Sequence, residues 1–463
     1  MKNHARRGAG ALALCTLGLT PLLAGCVQAL SASDHDHHRA GYTETAPRVV
    51  TADIQAGIER HIEERTRAGN GSFAIDHEGG TLRLRLVRVH TEYLANLGPD
   101  EHFACVDLVN DDGRVFDVDF FLTGPAGGMR VTETIVHKLN GKPYYVWEQR
   151  DDSTWARVSV ENAGKPLLGV IEGEDRFRFT YRFDLPELAD GSRVWLPIPE
   201  TDDFQTVTMV SARTPVPYRT LRDTEEGNAV MFMELGAEHS GETVAIVYDI
   251  LRREKSAYDA VDDPSRYLRP NAMIPPDPIF AETASRVLAG KTGEMVRARA
   301  LYDHVVDSMD YQKVNPGYGR GDALYACDSL SGNCTDYHSY FIALARAAGI
   351  PARFAIGAPI PSERNAGGIS GYHCWAEFHA DGKWWPVDIS ESDKYAALST
   401  YYFGHHPANR LELSRGRDLI VTPGPASGPI NMLAYPVIER DGRIVPLKPF
   451  FSFERQQNRR AGG

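Results

Sequence analysis

Three things are scarce in this chain. Beyond its N-terminus it has no run of ~18 consecutive apolar residues, which excludes an internal membrane-spanning helix. It has no surplus of positive charge, since 50 Lys and Arg stand against 62 Asp and Glu for a net −12. Such a surface repels phosphates, so neither nucleic acid nor bulk anionic lipid is expected as a partner. Cysteine is sparse, six in 463 residues and without a CxxC pair. Spacing therefore points to no zinc site, and no metal or cofactor is expected. Setting aside Cys15 and Cys26 near the N-terminus leaves Cys105, Cys327, Cys334 and Cys374, whose pairing spacing does not reveal.

What is present begins with a leader. Lys2, Arg6 and Arg7 precede a short apolar stretch from Gly8 to Leu23. The stretch ends in Leu23-Ala24-Gly25-Cys26, which resembles a bacterial lipobox. That resemblance implies cleavage before Cys26 and acylation of its thiol and new amino group. The expected location is the bacterial cell envelope, anchored to a membrane without spanning it. Inner or outer membrane stays open.

The chain divides by composition and period. Residues 1–25 read as the signal peptide and 26–47 as a tether, in which Asp34-His35-Asp36-His37-His38 reads as solvated linker. Residues 48–170 read as a small α+β domain, with Ile54, Ile58 and Ile62 at helical spacing ahead of alternating strand-like runs. Cys105, among apolar neighbours, reads as a packed core thiol. Residues 174–252 read as a β-sandwich-like domain, clearest in the alternation of Arg176 to Phe183. After a proline-rich linker, residues 270–435 change to helices followed by short strands. Residues 436–463 read as a β-hairpin and tail.

The chemistry sits in three blocks. The first is Gly332-Asn333-Cys334-Thr335-Asp336, opening a helix that stops at Gly349-Ile350-Pro351. A cysteine in a first helical turn is favoured as thiolate by unpaired N–H groups and the helix dipole. Those N–H groups also suit a developing oxyanion. The second block is His373-Cys374-Trp375-Ala376-Glu377, and the third is Trp385-Pro386-Val387-Asp388. A turn at Asp381-Gly382 brings the two together, so His373 would serve as base and Asp388 would orient it.

These blocks, in order and spanning roughly 301–389, resemble the transglutaminase-like superfamily. The resemblance implies a papain-like α+β core with Cys334, His373 and Asp388 as nucleophile, base and orienting acid. It is also what the segment from Asn409 to Asp418 suggests. The loop before Cys334 lacks the tryptophan that often assists the oxyanion in that family, leaving Tyr318 and Tyr325 as candidate donors. No calcium loop is visible. Strand alternation puts Trp375 and Glu377 on the face of His373 and turns Cys374 away into packing. His338 reads as a packed or exposed helix histidine, and Asp336 as a residue complementing the helix dipole. A Cys327–Cys334 disulfide would abolish the nucleophile.

The expected function is acyl transfer through a thioester at Cys334, on a peptide or glutamine amide of an envelope protein. Hydrolysis and crosslinking share the first half of that chemistry. A different class, a catalytically silent envelope-anchored binding module on the same fold, should have lost part of the triad, and this chain keeps all three residues.

Overall fold

The computed structural model describes residues 49–456, apart from 91–94, 97–100, 150–154, 160–168, 314–315 and 394–395. The leader, Cys15, Cys26 and the histidine-containing tether lie outside the described residues. No helix among the described residues is long and apolar enough to cross a membrane.

Helix α1, Thr51–Ala68, opens where Asp53 accepts the N–H of Val50 at 2.9 Å. Its buried stripe, Ile54, Ile58 and Ile62, meets one face of an antiparallel sheet. That sheet runs Phe73–His77, Gly80–Val89, Glu101–Val109, Val115–Thr123, Arg130–Leu139 and Lys142-Pro143 in spatial order. The last hairpin turns on Asn140-Gly141, both at positive φ (48° and 78°), the handedness that matches strand twist. Cys105 is a buried thiol, as its neighbours suggest, but it lies outside the apolar cluster under α1. Ala104 and Val106 take the α1 side, and Cys105 faces the opposite side, hydrogen-bonded to Asp119.

Two five-stranded sheets follow. One runs Gln205–Arg213, Thr243–Arg253, Glu174–Asp184, Phe450–Arg455 and Ala366–Ile369. The other runs Arg219–Arg222, Ala229–Leu235, Ser192–Ile198, Val437–Arg440 and Arg443–Val445. Phe177, Phe179, Tyr181 and Phe183 point inward between exposed arginines, each burying about 1.5–3 kcal/mol of apolar side chain. Strands from beyond residue 360 complete both sheets, with Phe179 across from Phe453 and Val194 across from Ile438.

The remaining layer holds the three blocks. Helices α2 (Pro278–Val287), α3 (Glu294–Ser308) and α4 (Ala323–Ser329) surround α5 (Cys334–Ala347). From Cys334 to Ala345 every residue of α5 is buried, so it is a central helix rather than an amphipathic surface one. It packs on a sheet ordered Tyr258-Asp259, Lys383–Val387, His373–Ala380, Ala352–Pro359 and Arg410–Arg415. The helix ends at Gly349, whose φ of 78° provides the left-handed turn. The fold is α+β throughout.

Candidate active site

Cys334 is the first residue of α5 because Asn333 caps it. Asn333 Oδ1 accepts the Thr335 N–H at 2.9 Å, and the Asn333 N–H donates to Asp336 Oδ2 at 2.9 Å. The N–H of Cys334 has no carbonyl one turn earlier to bond. Asp336 does more than complement the dipole. It also accepts the N–H groups of Gly319 (2.7 Å) and Gly321 (3.1 Å), tying the preceding loop to the helix start. A Cβ on Gly332 would overlap the Asp336 side chain, so only glycine fits there. Arg417 secures the same loop, donating to the carbonyls of Gly321 and Arg320 at 2.8 Å each.

The tight turn at Asp381-Gly382, with φ of 50° and 79°, pairs His373–Ala380 with Lys383–Val387. Asp388 lies one residue past that strand rather than in it. It caps the short helix Ile389–Ser392, accepting the Glu391 N–H at 3.3 Å on Oδ1. Oδ2 accepts from His373 Nε2 at 2.6 Å. That contact leaves Nδ1 of His373 for the Cys334 thiol, whose negative charge the ring favours. The three residues thus stand in the order thiol, imidazole, carboxylate.

Electrostatics follow from that order. The Cys334 thiol is held well below its ordinary pKa, first by a hydrogen bond from the Cys374 thiol and then by His373. Burial disfavours a charged His373, but Asp388 and Cys334 outweigh it and raise the ring to about 10. Burial likewise disfavours ionised Asp388, and His373, His338 and Arg410 hold it at about 2. All three shifts favour a thiolate–imidazolium pair beside an ionised carboxylate. Cys334 is 3% exposed and His373 6%, so the ion pair is shielded from water.

Several neighbours differ from expectation. Cys374 sits in the site: its Sγ is 3.6 Å from Thr335 Oγ1 and 4.0 Å from His338 Nδ1. The pairing of Ala352–Pro359 with Arg410–Arg415 slips between Ile356 and Gly357, the residues across from Cys374 and His373. The extra residue there is Leu413 of Arg410–Arg415, and alternation holds along His373–Ala380. Cys374, Ala376, Phe378 and Ala380 share the face that packs on α5, so it is the face carrying Cys374 that meets the helix. His338 is fully buried and donates Nδ1–H to the Cys334 carbonyl at 2.6 Å. Its Nε2 accepts the Ile389 N–H at 3.0 Å, so no lone pair is left for a base. Glu377 is not a partner of His373; it binds Arg353 at 2.8 Å, Tyr258 at 2.7 Å and Lys255.

Of the tentative site residues, Trp375 is buried with its ring 6.4 Å from that of His373 and 4.1 Å from that of His406, to which it is tilted by 35°. Tyr318 is 39% exposed. Tyr325 packs beside Gly317 with its hydroxyl lacking a hydrogen-bond partner. The tyrosines that do flank the thiol are others. Tyr372 Oη lies 3.1 Å from Thr335 Oγ1 and 3.4 Å from Asn333 Nδ2, on either side of Cys334. Tyr311 pairs across from Gly332 and feels the Cys334 charge. Tyr372 adjoins His373 in sequence, a signal that proximity to the motif could have supplied; Tyr311 had none. Cys327 is a free thiol, as are Cys105, Cys334 and Cys374.

Residues 281–389 match the transglutaminase-like superfamily. An uncharacterized protein of Haemophilus influenzae is 28% identical over 327 residues, spanning 59% of this chain and 88% of its own. Among solved structures, a candidate cysteine protease from Cytophaga hutchinsonii shares 14% identity at a TM-score of 0.44. The alignment covers 62% of this chain and 91% of that one. The periplasmic domain of TgpA from Pseudomonas aeruginosa shares 16% identity at a TM-score of 0.28, covering 62% and 93%. Residues 281–389, which hold the Cys334 thiol, the His373 imidazole and the Asp388 carboxylate, thus form a transglutaminase-like domain.

Proposed function

We propose that the protein is a cell-envelope acyl-transfer enzyme that opens an amide bond through a thioester at Cys334. The observation that carries this reading is the His373–Asp388 hydrogen bond at 2.6 Å beside a Cys334 at the start of α5 whose thiolate His373 favours. In the first half-reaction the Cys334 thiolate attacks the amide carbonyl carbon, forming the C–S bond. The oxyanion gathers at the N-terminus of α5, where the Cys334 N–H and the dipole favour negative charge. His373 gives its Nδ1 proton to the leaving nitrogen as the C–N bond breaks. Asp388 keeps the ring oriented and stabilises the imidazolium.

In the second half-reaction neutral His373 takes a proton from water or from an amine, which attacks the thioester. Water yields a carboxylic acid and makes the enzyme a peptidase or amidase. An amine yields a new amide and makes it a crosslinking enzyme. Either way the thiolate and imidazolium are restored. The substrate class is a peptide bond or glutamine side chain of an envelope protein, presented to a protein held at the membrane by acylated Cys26. The basic patch of Lys2, Arg6 and Arg7 and the sequence ending at Cys26 support that placement.

Acid-quenched incubations with peptide and glutamine amides, read by intact-mass spectrometry, test the chemistry. An acyl adduct on Cys334 that hydroxylamine removes is the expected result, absent from Cys334→Ala. Turnover equal in wild type and Cys334→Ala would reject it. Mass analysis of the N-terminal peptide tests the anchor, which requires a lipid on Cys26.

A further inference from the structure

A second group of chemistry-bearing side chains lies on the sheet of the N-terminal domain, on the face turned away from α1. Alternation sends Cys105 and Asp107 from Glu101–Val109, and Asp117 and Asp119 from Val115–Thr123, to that face. Cys105 is directly across from Asp119, and Asp107 from Asp117. Between Asp117 and Val118 the pairing with Arg130–Leu139 slips, making His137 the extra residue of a β-bulge. A bulge re-aims a side chain, and this one brings His137 to the same group.

The donors converge. Cys105 Sγ lies 3.2 Å from Asp119 Oδ1, and His137 Nδ1 lies 3.4 Å from the same oxygen. Donor atoms of Cys105, Asp117, Asp119 and His137 all fall within 4.8 Å of one another. Tetrahedral zinc, with bonds of ~2.0–2.3 Å, separates its ligand atoms by roughly 3.3–3.8 Å, so closure by about 1 Å suffices.

The supporting contacts have the form that metal ligands need. His137 Nε2 meets the Tyr145 carbonyl at 3.1 Å, a contact in which the nitrogen must be the donor. With Nε2 held as donor, Nδ1 is the ring nitrogen that faces the cluster, 3.4 Å from Asp119 Oδ1. The Tyr145 hydroxyl donates to Asp119 Oδ2 at 2.7 Å, leaving Oδ1 inward. Lys138 occupies Asp117 Oδ2 at 2.7 Å, while Asp117 Oδ1 is buried without a hydrogen-bond partner in a residue only 5% exposed. An unpaired carboxylate oxygen in such a place is costly unless a cation meets it. Asp107 is excluded as a ligand because its oxygens face His90 and Arg299 at 3.1 Å each.

We infer that Cys105, Asp117, Asp119 and His137 form a binding site for a thiophilic divalent cation, zinc by its mixed sulfur, nitrogen and oxygen donors. Binding replaces the Cys105 thiol proton. Two carboxylates and a thiolate then balance a divalent cation and the Lys138 ammonium. Four protein ligands in a buried face make the site structural. It pins the bulge and Tyr145 to the middle of the sheet.

The test uses the full chain, freed of metal by chelation and titrated with cobalt(II). A thiolate-to-cobalt charge-transfer band with tetrahedral d–d bands is expected and should be displaced by zinc. The band should persist in Cys334→Ala and vanish in Cys105→Ser, while Tyr145→Phe weakens binding about ten- to a hundredfold. Histidines in the tether cannot produce a thiolate band, so they do not confuse the reading. A measurement on wild type alone guards against a variant that fails to fold. Added zinc should slow alkylation of Cys105, read by peptide mass spectrometry, and leave Cys327 unchanged. Absence of the band, its survival in Cys105→Ser, or unaltered Cys105 labelling would each overturn the site.

Discussion

Two buried thiols of this chain sit beside the same residue types and are driven in opposite directions. Cys334 is 3% exposed and Cys105 8%, each within reach of a histidine and an aspartate. The Cys334 thiol is pulled well below its ordinary pKa. Burial first, then Asp117 and Asp119, push the Cys105 thiol far above it. What differs is order. At Cys334 the imidazole stands between sulfur and carboxylate, and the sulfur lies at a helix N-terminus. At Cys105 the carboxylate touches the sulfur directly, in mid-strand, where no dipole helps. The same three side chains make a nucleophile in one sequence of contacts and an inert or metal-seeking thiol in the other.

The largest effect that would break this contrast is loss of the charged ring. His373→Ala should slow amide turnover by ~10²–10⁴-fold, the usual contribution of a positioned acid–base group. Asp388→Asn should follow at a hundredfold or more, because the amide cannot stabilise the imidazolium. Its signature is the pH profile. Wild-type turnover should fall as pH rises through about 10, where His373 loses its proton. In Asp388→Asn that arm should move to lower pH, since the charge that raises the ring has gone.

Cys374→Ala gives a smaller change. Removing the first hydrogen bond to the Cys334 sulfur should raise the Cys334 pKa, shifting the acidic arm of alkylation upward while leaving Cys334 reactive. Tyr372→Phe should be smaller still. Loss of one hydroxyl contact near Thr335 and Asn333, about 0.5–1.5 kcal/mol, predicts a two- to tenfold fall in kcat/KM. Tyr325→Phe should change kcat/KM less than twofold, because that hydroxyl contacts no member of the triad.

The triad was legible because its chemistry is local in sequence. A helix start holds Cys334, a strand start holds His373, and a two-residue turn fixes the spacing to Asp388. Cys374 escaped because alternation tells which residues share a face but not which face meets α5; the strand is regular, and its Cys374 face lies against Thr335 and His338. Glu377 shares a strand with His373, but its partners, the buried cations Lys255 and Arg353, come from elsewhere in the chain and alternation does not name them. The sandwich strands were visible in their alternation. Their completion by Val437–Arg440 and Phe450–Arg455 was not, since pairing across some 250 residues leaves no periodic trace. The cluster around Cys105 is scattered over three strands and a bulge, so no ligand spacing marks it.

The direct test of the contrast is the alkylation rate of Cys334 against pH, read by peptide mass spectrometry in wild type and His373→Ala. Rapid labelling that persists well below the ~8.5 of a free thiol is predicted, with that acidic reactivity lost in the variant. A wild-type rate that rises only as pH passes ~8.5, unchanged by His373→Ala, would contradict the ion pair and with it the assignment of Cys334 as nucleophile.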